Sequence, residues 1–336
     1  MYHAAVTGWG MYVPEHVLTN DDLTQFMDTS DEWIRSRTGI RERRVAGATE
    51  TTTTMAAAAG RAACLRAGID PADLELIIVG TFTPDQYMPS TASLVQNELG
   101  ASHAAAFDLN TACSGFVYAL AAGSQFVQAG TYSRVLIIGA DFTSRFLDYS
   151  DRGTAILFGD GAGAVVLQRS EEKEGVLSIE LGSDGSAGRH LTLGGAESFV
   201  GLNGARKIDR PFLKMNGAEV FRFAVRIMGE AAATATTKAG LTFDDIDLLI
   251  PHQANLRIIE SAAKRLQMPR ERVWINVDRY ANTSCASIPI CLVEAEQTGA
   301  LTDGMNVVVI GFGGGLTWAA AVLRWGATGV KRGDAT

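Results

Sequence analysis

Cys113 has the residue type and setting best suited to covalent chemistry. It stands between a probable strand end, Phe107-Asp108-Leu109, and a helix expected to begin at Ser114-Gly115-Phe116. A thiol at a helix amino terminus meets the positive end of the peptide dipoles, so a lowered thiol pKa is expected there. His252 follows Leu248-Leu249-Ile250-Pro251, at the carboxyl end of an expected buried strand, where α/β proteins usually build their sites. Asn282 belongs to the loop Tyr280-Ala281-Asn282-Thr283-Ser284, ahead of another helix. Singly, each has an ordinary role as a packed cysteine, a satisfied histidine or a turn asparagine.

Glycine turns could supply the rest of such a site. Gly159-Asp160-Gly161-Ala162-Gly163-Ala164 matches G-x-G-x-x-A, but it opens a strand rather than a helix, and Gly311-Phe312-Gly313-Gly314-Gly315-Leu316 fails the pattern. A dinucleotide site is therefore not expected. Such turns instead leave bare backbone N–H groups close to a ligand, the raw material of an oxyanion hole.

These residues are positioned by a repeated set of elements. Residues 67–79 read AGIDPADLELIIV, and residues 239–251, 172 positions on, read AGLTFDDIDLLIP. The same offset pairs Val135-Leu136-Ile137-Ile138-Gly139 with Val307-Val308-Val309-Ile310-Gly311, and Asn110-Thr111-Ala112-Cys113 with Asn282-Thr283-Ser284-Cys285. Three matches at one offset predict two similar halves, residues 1–171 with the cysteine and 172–336 with His252 and Asn282. Apolar runs at 74–79, 135–138, 164–167, 247–250, 307–310 and 319–323 lack polar alternation, as strands buried on both faces do. Helices are expected near 53–67, 114–129, 220–239, 255–266 and 287–298, giving helix, sheet, helix layering twice. The uncharged stretch 304–323 reads as strand, glycine turn, strand rather than a membrane span.

Composition excludes several function classes. Of 336 residues, 47% are hydrophobic and 20% charged, which is incompatible with disorder, and the net charge of −8 argues against an unbroken basic nucleic-acid face. An anionic partner must meet a local basic patch. Cys64, Cys113, Cys285 and Cys291 form no C-x-x-C pair, so neither a disulfide framework nor a metal site is encoded by spacing. Residues 1–20 lack a secretory signal pattern, so a cytoplasmic location is expected.

Taken together, the motifs resemble β-ketoacyl-acyl-carrier-protein synthase III over nearly the whole chain. They are Asp28-Thr29-Ser30-Asp31-Glu32-Trp33-Ile34, Arg37-Thr38-Gly39-Ile40, Asp151-Arg152-Gly153-Thr154, Phe158-Gly159-Asp160-Gly161-Ala162-Gly163, Pro251-His252-Gln253-Ala254-Asn255, Asn282-Thr283-Ser284 and Phe312-Gly313-Gly314-Gly315. The resemblance implies an α/β chain in the five-layer αβαβα thiolase fold, in agreement with the internal repeat. It also implies a decarboxylative condensation that initiates fatty-acid synthesis. Cys113 would attack an acyl-CoA, with an oxyanion hole from the backbone N–H groups of Cys113 and Gly314. His252 and Asn282 would donate hydrogen bonds to the enolate formed when malonyl-acyl-carrier-protein loses carbon dioxide. Acyl-CoA is then a substrate, and no metal, flavin or nicotinamide is called for.

By the same resemblance, Trp33 and Arg152 would sandwich the adenine of CoA, with Arg37 and Thr29 nearby on the nucleotide. A solvated basic run accounts for Arg43 and Arg44. Met88, in Gln86-Tyr87-Met88-Pro89, would form the far wall of the acyl pocket, often from the other subunit of a homodimer, and its flexibility favours primers longer than acetyl. An acidic carrier protein would dock on Arg257, Lys264 and Arg265, spaced to share one helix face, with Lys214 and Arg270 extending the patch on weaker grounds. One departure is Cys285, where the family motif usually has alanine. A second catalytic thiol there would make the chain a thiolase. Acyl transfer to oxygen or nitrogen in secondary metabolism would keep Cys113 as nucleophile, and a non-catalytic acyl-CoA binder would use none of the three reactive residues.

Overall fold

The computed structural model describes residues 2–194 and 211–327. The first half opens with β1 (His3–Tyr12), then a ribbon of β2 (Val17–Thr19) and β3 (Glu42–Arg44) enclosing α1 (Asn20–Leu23) and α2 (Asp31–Thr38). It continues through α3 (Thr52–Ala67), β4 (Leu76–Gly80), α4 (Thr91–Leu99), β5 (Ala105–Leu109), α5 (Gly115–Gln128), β6 (Arg134–Asp141) and β7 (Gly161–Ser170). The second half has β8 (Gly175–Ser183), a ribbon of β9 (Leu191–Leu193) and β10 (Leu213–Met215), α6 (Gly217–Lys238), β11 (Leu248–Pro251) and α7 (Leu256–Arg265). It ends with α8 (Val277–Tyr280), α9 (Ser287–Gln297), β12 (Asn306–Gly313) and β13 (Thr317–Arg324).

One sheet runs β1-β7-β6-β4-β5 and the other β11-β12-β13-β8, so all strands of the first precede residue 171 and all of the second follow it. In each, a parallel pair (β4 and β6, β11 and β12) is followed by an antiparallel neighbour. Helix α3 covers the outer face of the first sheet, α6 covers the second, and α5 and α9 fill the space between them. This is the five-layer αβαβα thiolase fold. Among the described residues three large apolar clusters and one small one occupy the interfaces, and the middle one joins β4, β6 and β7 to β11, β12 and β13 across α5 and α9.

The 172-residue offset carries β1 onto β8, β4 onto β11, α5 onto α9 and β6 onto β12. It carries β5 onto α8, which is why the second sheet has one strand fewer. Local chemistry sets the element ends nearest the site. Ser30 caps α2 by accepting from the Trp33 N–H, and Gly39, at φ 79°, ends it where a Cβ would strike Leu256. Trp33 and Arg37, four apart, therefore share one face of α2. Arg43 corrects the sequence reading: it is 1% exposed and donates to Leu18 O, Asn20 Oδ1 and Ile156 O, so it ties the β2-β3 ribbon to the body rather than lying in water.

Candidate active site

Cys113 lies in a short turn just ahead of α5, reached through Ala112 at φ 46°, a left-handed conformation that turns the sulfur inward. It lies where two cavities meet. One, about 660 Å³, is lined by Phe82, Gln86, Tyr87, Phe146, Leu213 and Gly314 among others. The second, about 220 Å³, runs from Trp33, Arg37 and Arg152 past Asn255 and Phe312 to His252 and Asn282, and Cys113 closes its inner end. Ser284 Oγ donates to Cys113 Sγ at 3.2 Å.

The expected lowering of the Cys113 pKa is not what the enclosure produces. Burial pushes the thiol up to about 12, opposed in part by the Ser284 hydrogen bond. A helix end contributes only about 0.3–1 kcal/mol, less than one pKa unit, and falls short of the desolvation of a fully enclosed thiolate. The resting nucleophile is the thiol.

His252 follows β11 directly and is fully buried, and that burial pulls its pKa down to about 3, so it is a neutral imidazole at physiological pH. Its Nδ1 lies 2.6 Å from Ser287 Oγ, the first residue of α9. Ser287 Oγ also accepts from the Gln253 N–H at 3.4 Å. In the tautomer where Ser287 donates to Nδ1, the imidazole proton sits on Nε2. Among the described residues Nε2 has no partner, and it faces the second cavity. Asn282 is fixed likewise: its Oδ1 accepts from the Ser284 N–H at 2.8 Å, so its amide NH₂ is left to donate. Sequence reasoning missed Ser284 and Ser287, although both follow from Asn282 by short spacing.

The nucleotide-binding candidates gather at the cavity mouth. Arg37 stacks over Trp33 with its guanidinium carbon 4.4 Å from the ring centroid, and Arg152 with its own at 4.9 Å. A planar ring held between Trp33 and Arg152 needs roughly 7 Å, two van der Waals spacings, so the expected sandwich is closed and Arg152 occupies the slot itself. Arg152 is held there by a 2.8 Å bond to Asp28 O. Thr29 does not line the cavity, and its enclosed hydroxyl has no partner among the described residues.

Other candidates lie elsewhere. Met88 is 86% exposed and lines neither cavity within one chain, whereas Gln86 and Tyr87 line the larger one. Arg257, Lys264 and Arg265 are exposed on α7, but Arg265 is held by Glu230 of α6 at 3.2 Å, so the three do not form one unengaged patch. Cys285 is 1% exposed, donates to Ala112 O at 2.7 Å and lines neither cavity. Cys64 and Cys291 are buried in α3 and α9. Among the described residues no helix is long and apolar enough to cross a membrane.

Two family models match, 3-oxoacyl-[acyl-carrier-protein] synthase III over residues 107–185 and its C-terminal counterpart over 236–325. A Bacillus anthracis protein named β-ketoacyl-[acyl-carrier-protein] synthase III 1 is 49% identical, across 96% of this chain and 99% of its own. The crystal structure of the Thermus thermophilus synthase III is 47% identical with a TM-score of 0.90, covering 96% of this chain and 99% of that one. The priming β-ketosynthase of the R1128 polyketide pathway is 37% identical with a TM-score of 0.91, covering 96% of each.

Proposed function

The chain belongs to the β-ketoacyl-[acyl-carrier-protein] synthase III family and is an acyltransferase; from that premise we propose how its own residues perform the decarboxylative condensation of an acyl-CoA primer with malonyl-acyl-carrier-protein. The observation that carries this reading is the placement of Cys113 at the junction of the two cavities, with His252 Nε2 and the Asn282 amide on one side of it.

The CoA arm enters past Trp33, Arg37 and Arg152, and Arg152 swings off Trp33 to admit the adenine. The Thr29 hydroxyl, enclosed beside the Asp28 carbonyl that holds Arg152, reaches the nucleotide only after Arg152 has moved. The acyl chain passes beyond Cys113 into the larger cavity. Cys113 Sγ bonds to the thioester carbon while the oxyanion rests on the backbone N–H groups of Cys113 and Gly314, and CoA leaves as its thiol with the proton Cys113 gives up. Malonyl-carrier protein then occupies the vacated channel. As its C–CO₂ bond breaks, the electron pair passes into an enolate held by His252 Nε2–H and the Asn282 NH₂. Carbon dioxide departs in that step, the carbanion then bonds to the acyl carbon as its bond to Cys113 Sγ breaks, and 3-oxoacyl-carrier protein leaves while the freed thiolate takes a proton from water to restore the thiol.

Residues 1–171 thus supply the nucleophile and nucleotide contacts and 172–336 the enolate donors. The active form is a cytoplasmic homodimer in which Met88 reaches the partner's acyl cavity, and that cavity takes primers longer than acetyl. The carrier docks on Arg257 and Lys264, with Arg265 a lesser contributor because of Glu230. Cys285 serves packing, which sets aside a two-thiol thiolase.

The test is incubation with a panel of acyl-CoAs, followed by denaturing mass spectrometry and then product mass after adding malonyl-carrier protein. One adduct on the Cys113 peptide and a 3-oxoacyl product are expected. An adduct on Cys285, or acylation of Cys113→Ala, defeats the reading, and Met88→Phe should shift preference to shorter primers.

A further inference from the structure

Cys113 has a structural image. The 172-residue offset places Cys285 at the corresponding point, ahead of α9 as Cys113 is ahead of α5. The correspondence extends to backbone detail: Ala112 at φ 46° matches Ser284 at φ 53°, and the Asn110 Oδ1 contact with the Ala112 N–H (3.2 Å) matches that of Asn282 with Ser284 (2.8 Å). At the carboxyl ends of β6 and β12, however, Asp141 corresponds to Gly313. A Cβ on Gly313 would lie 2.5 Å from the Cys113 nitrogen, whereas Asp141 has that Cβ and its Oδ2 accepts from the Cys285 N–H at 3.1 Å. The carboxylate therefore fills at Cys285 the space that glycine leaves open at Cys113.

The carboxylate is firmly held. Its Oδ1 accepts from the hydroxyls of Thr81 (3.0 Å) and Thr83 (2.9 Å) and from the Phe82 N–H (3.0 Å), so Asp141 links the loop after β4 to the turn carrying Ser284 and Cys285. Burial pushes its carboxyl up, and the Cys285 N–H, the Phe82 N–H and the Thr83 hydroxyl pull it back, while the single Ser284 hydroxyl proton goes to the neighbouring Cys113 sulfur.

The geometry points to Asp141 as a positioning residue for the nucleophile: an internal anion in the blocked image of the oxyanion hole, it fixes the Ser284–Cys285 turn so that the Ser284 hydroxyl meets the Cys113 sulfur. This rests on the reading that Cys113 carries the acyl group. Its consequence is thiol reactivity. Ser284 lowers the cost of forming the Cys113 thiolate, and Asp141 sustains that contact although its own charge opposes the thiolate. The other titratable or charged groups around the sulfur are Cys285 and His252, with Arg145, Asp85 and Tyr87 on the wall of the larger cavity and Arg37 and Arg152 along the smaller one.

The experiment follows iodoacetamide labelling of Cys113 against pH in the full chain, with site-resolved mass spectrometry and a thermal melt of each variant. Ser284→Ala is tolerable at this φ because Ala112 adopts it in the image. It should move the labelling profile up by about one pH unit, roughly tenfold slower at fixed pH. Asp141→Asn should move it the same way, and the double variant no further than the stronger single one. An unchanged profile in Ser284→Ala overturns the proposal, as do additive effects or a downward shift in Asp141→Asn, which would mark the carboxylate as a bare charge. If Asp141→Asn does not fold, Thr81→Val removes one donor while keeping its shape. A smaller upward shift is expected there, and an unchanged profile counts against the proposal. Labelling needs no CoA, so a chain that labels as described but never takes up an acyl group fails the functional reading alone.

Discussion

The two cysteine turns share a backbone and differ in a few side chains. Around Cys113 stand His252, Ser287 and Gly313. Their images around Cys285 are Gly80, Gly115 and Asp141. At the image, Gly80 and Gly115 lie so close that a Cβ on Gly80 would be 2.7 Å from the Gly115 carbonyl carbon, and one on Gly115 would be 2.8 Å from Cys285 Sγ. Space that holds an imidazole and a hydroxyl on one side is packed shut on the other. A thiol ahead of a helix is thus not sufficient for a nucleophile. An open N–H and a donor-lined approach make the difference.

The most disruptive way to break this asymmetry is Gly313→Asp, which would bring the image's carboxylate onto the Cys113 N–H. Acylation of Cys113 should fall at least about 1,000-fold, read by intact-protein mass after acyl-CoA treatment. Next come His252→Ala and Asn282→Ala, each expected to cut condensation on the order of 100-fold or more while acyl labelling persists. An Asn282→Ala enzyme that condenses normally but cannot take acyl label would reverse the assignment.

A milder consequence is pH-dependent stability, since only one of the two sites titrates near its histidine position. The folded pKa of His252, about 3, lies below the usual 6.5, so the unfolded chain takes up this proton first. Its contribution is therefore full above 6.5 and lost as pH falls from there toward 3, with a slope approaching about 1.4 kcal/mol per pH unit. His252→Gln should flatten that acid limb in denaturant titrations; an identical slope would mean the histidine is hydrated. Smallest is charge reversal at Arg257 and Lys264, expected to raise the KM for malonyl-carrier protein by about fivefold and flatten its salt dependence, with acyl labelling unchanged.

Much of this asymmetry was legible in the sequence. The offset that pairs Cys113 with Cys285 pairs Asp141 with Gly313 as well, and the buried strands and long helices fall within a few residues of their expected bounds. Strand β1 escaped because Gly8 and Gly10 interrupt its apolar run, and the structure shows why they are glycines: a side chain at either would collide with α3. Helices α2 and α4 are short and without a strong apolar stripe. The high pKa of Cys113, the closed slot at Trp33 and the engagement of Arg265 by Glu230 depend on groups distant in sequence, which spacing along one helix does not register.

The central layer has a consequence for folding. Helix α9, from the second half, packs mainly against β7 and β1 of the first sheet, and α5, from the first half, touches β13, β12 and β8 of the second. Each half therefore completes the other's core, and residues 1–171 made alone would expose the apolar face that α9 covers. Despite its duplicated plan, the molecule is one cooperative unit, and its unfolding should proceed as a single calorimetric transition without a half-folded plateau.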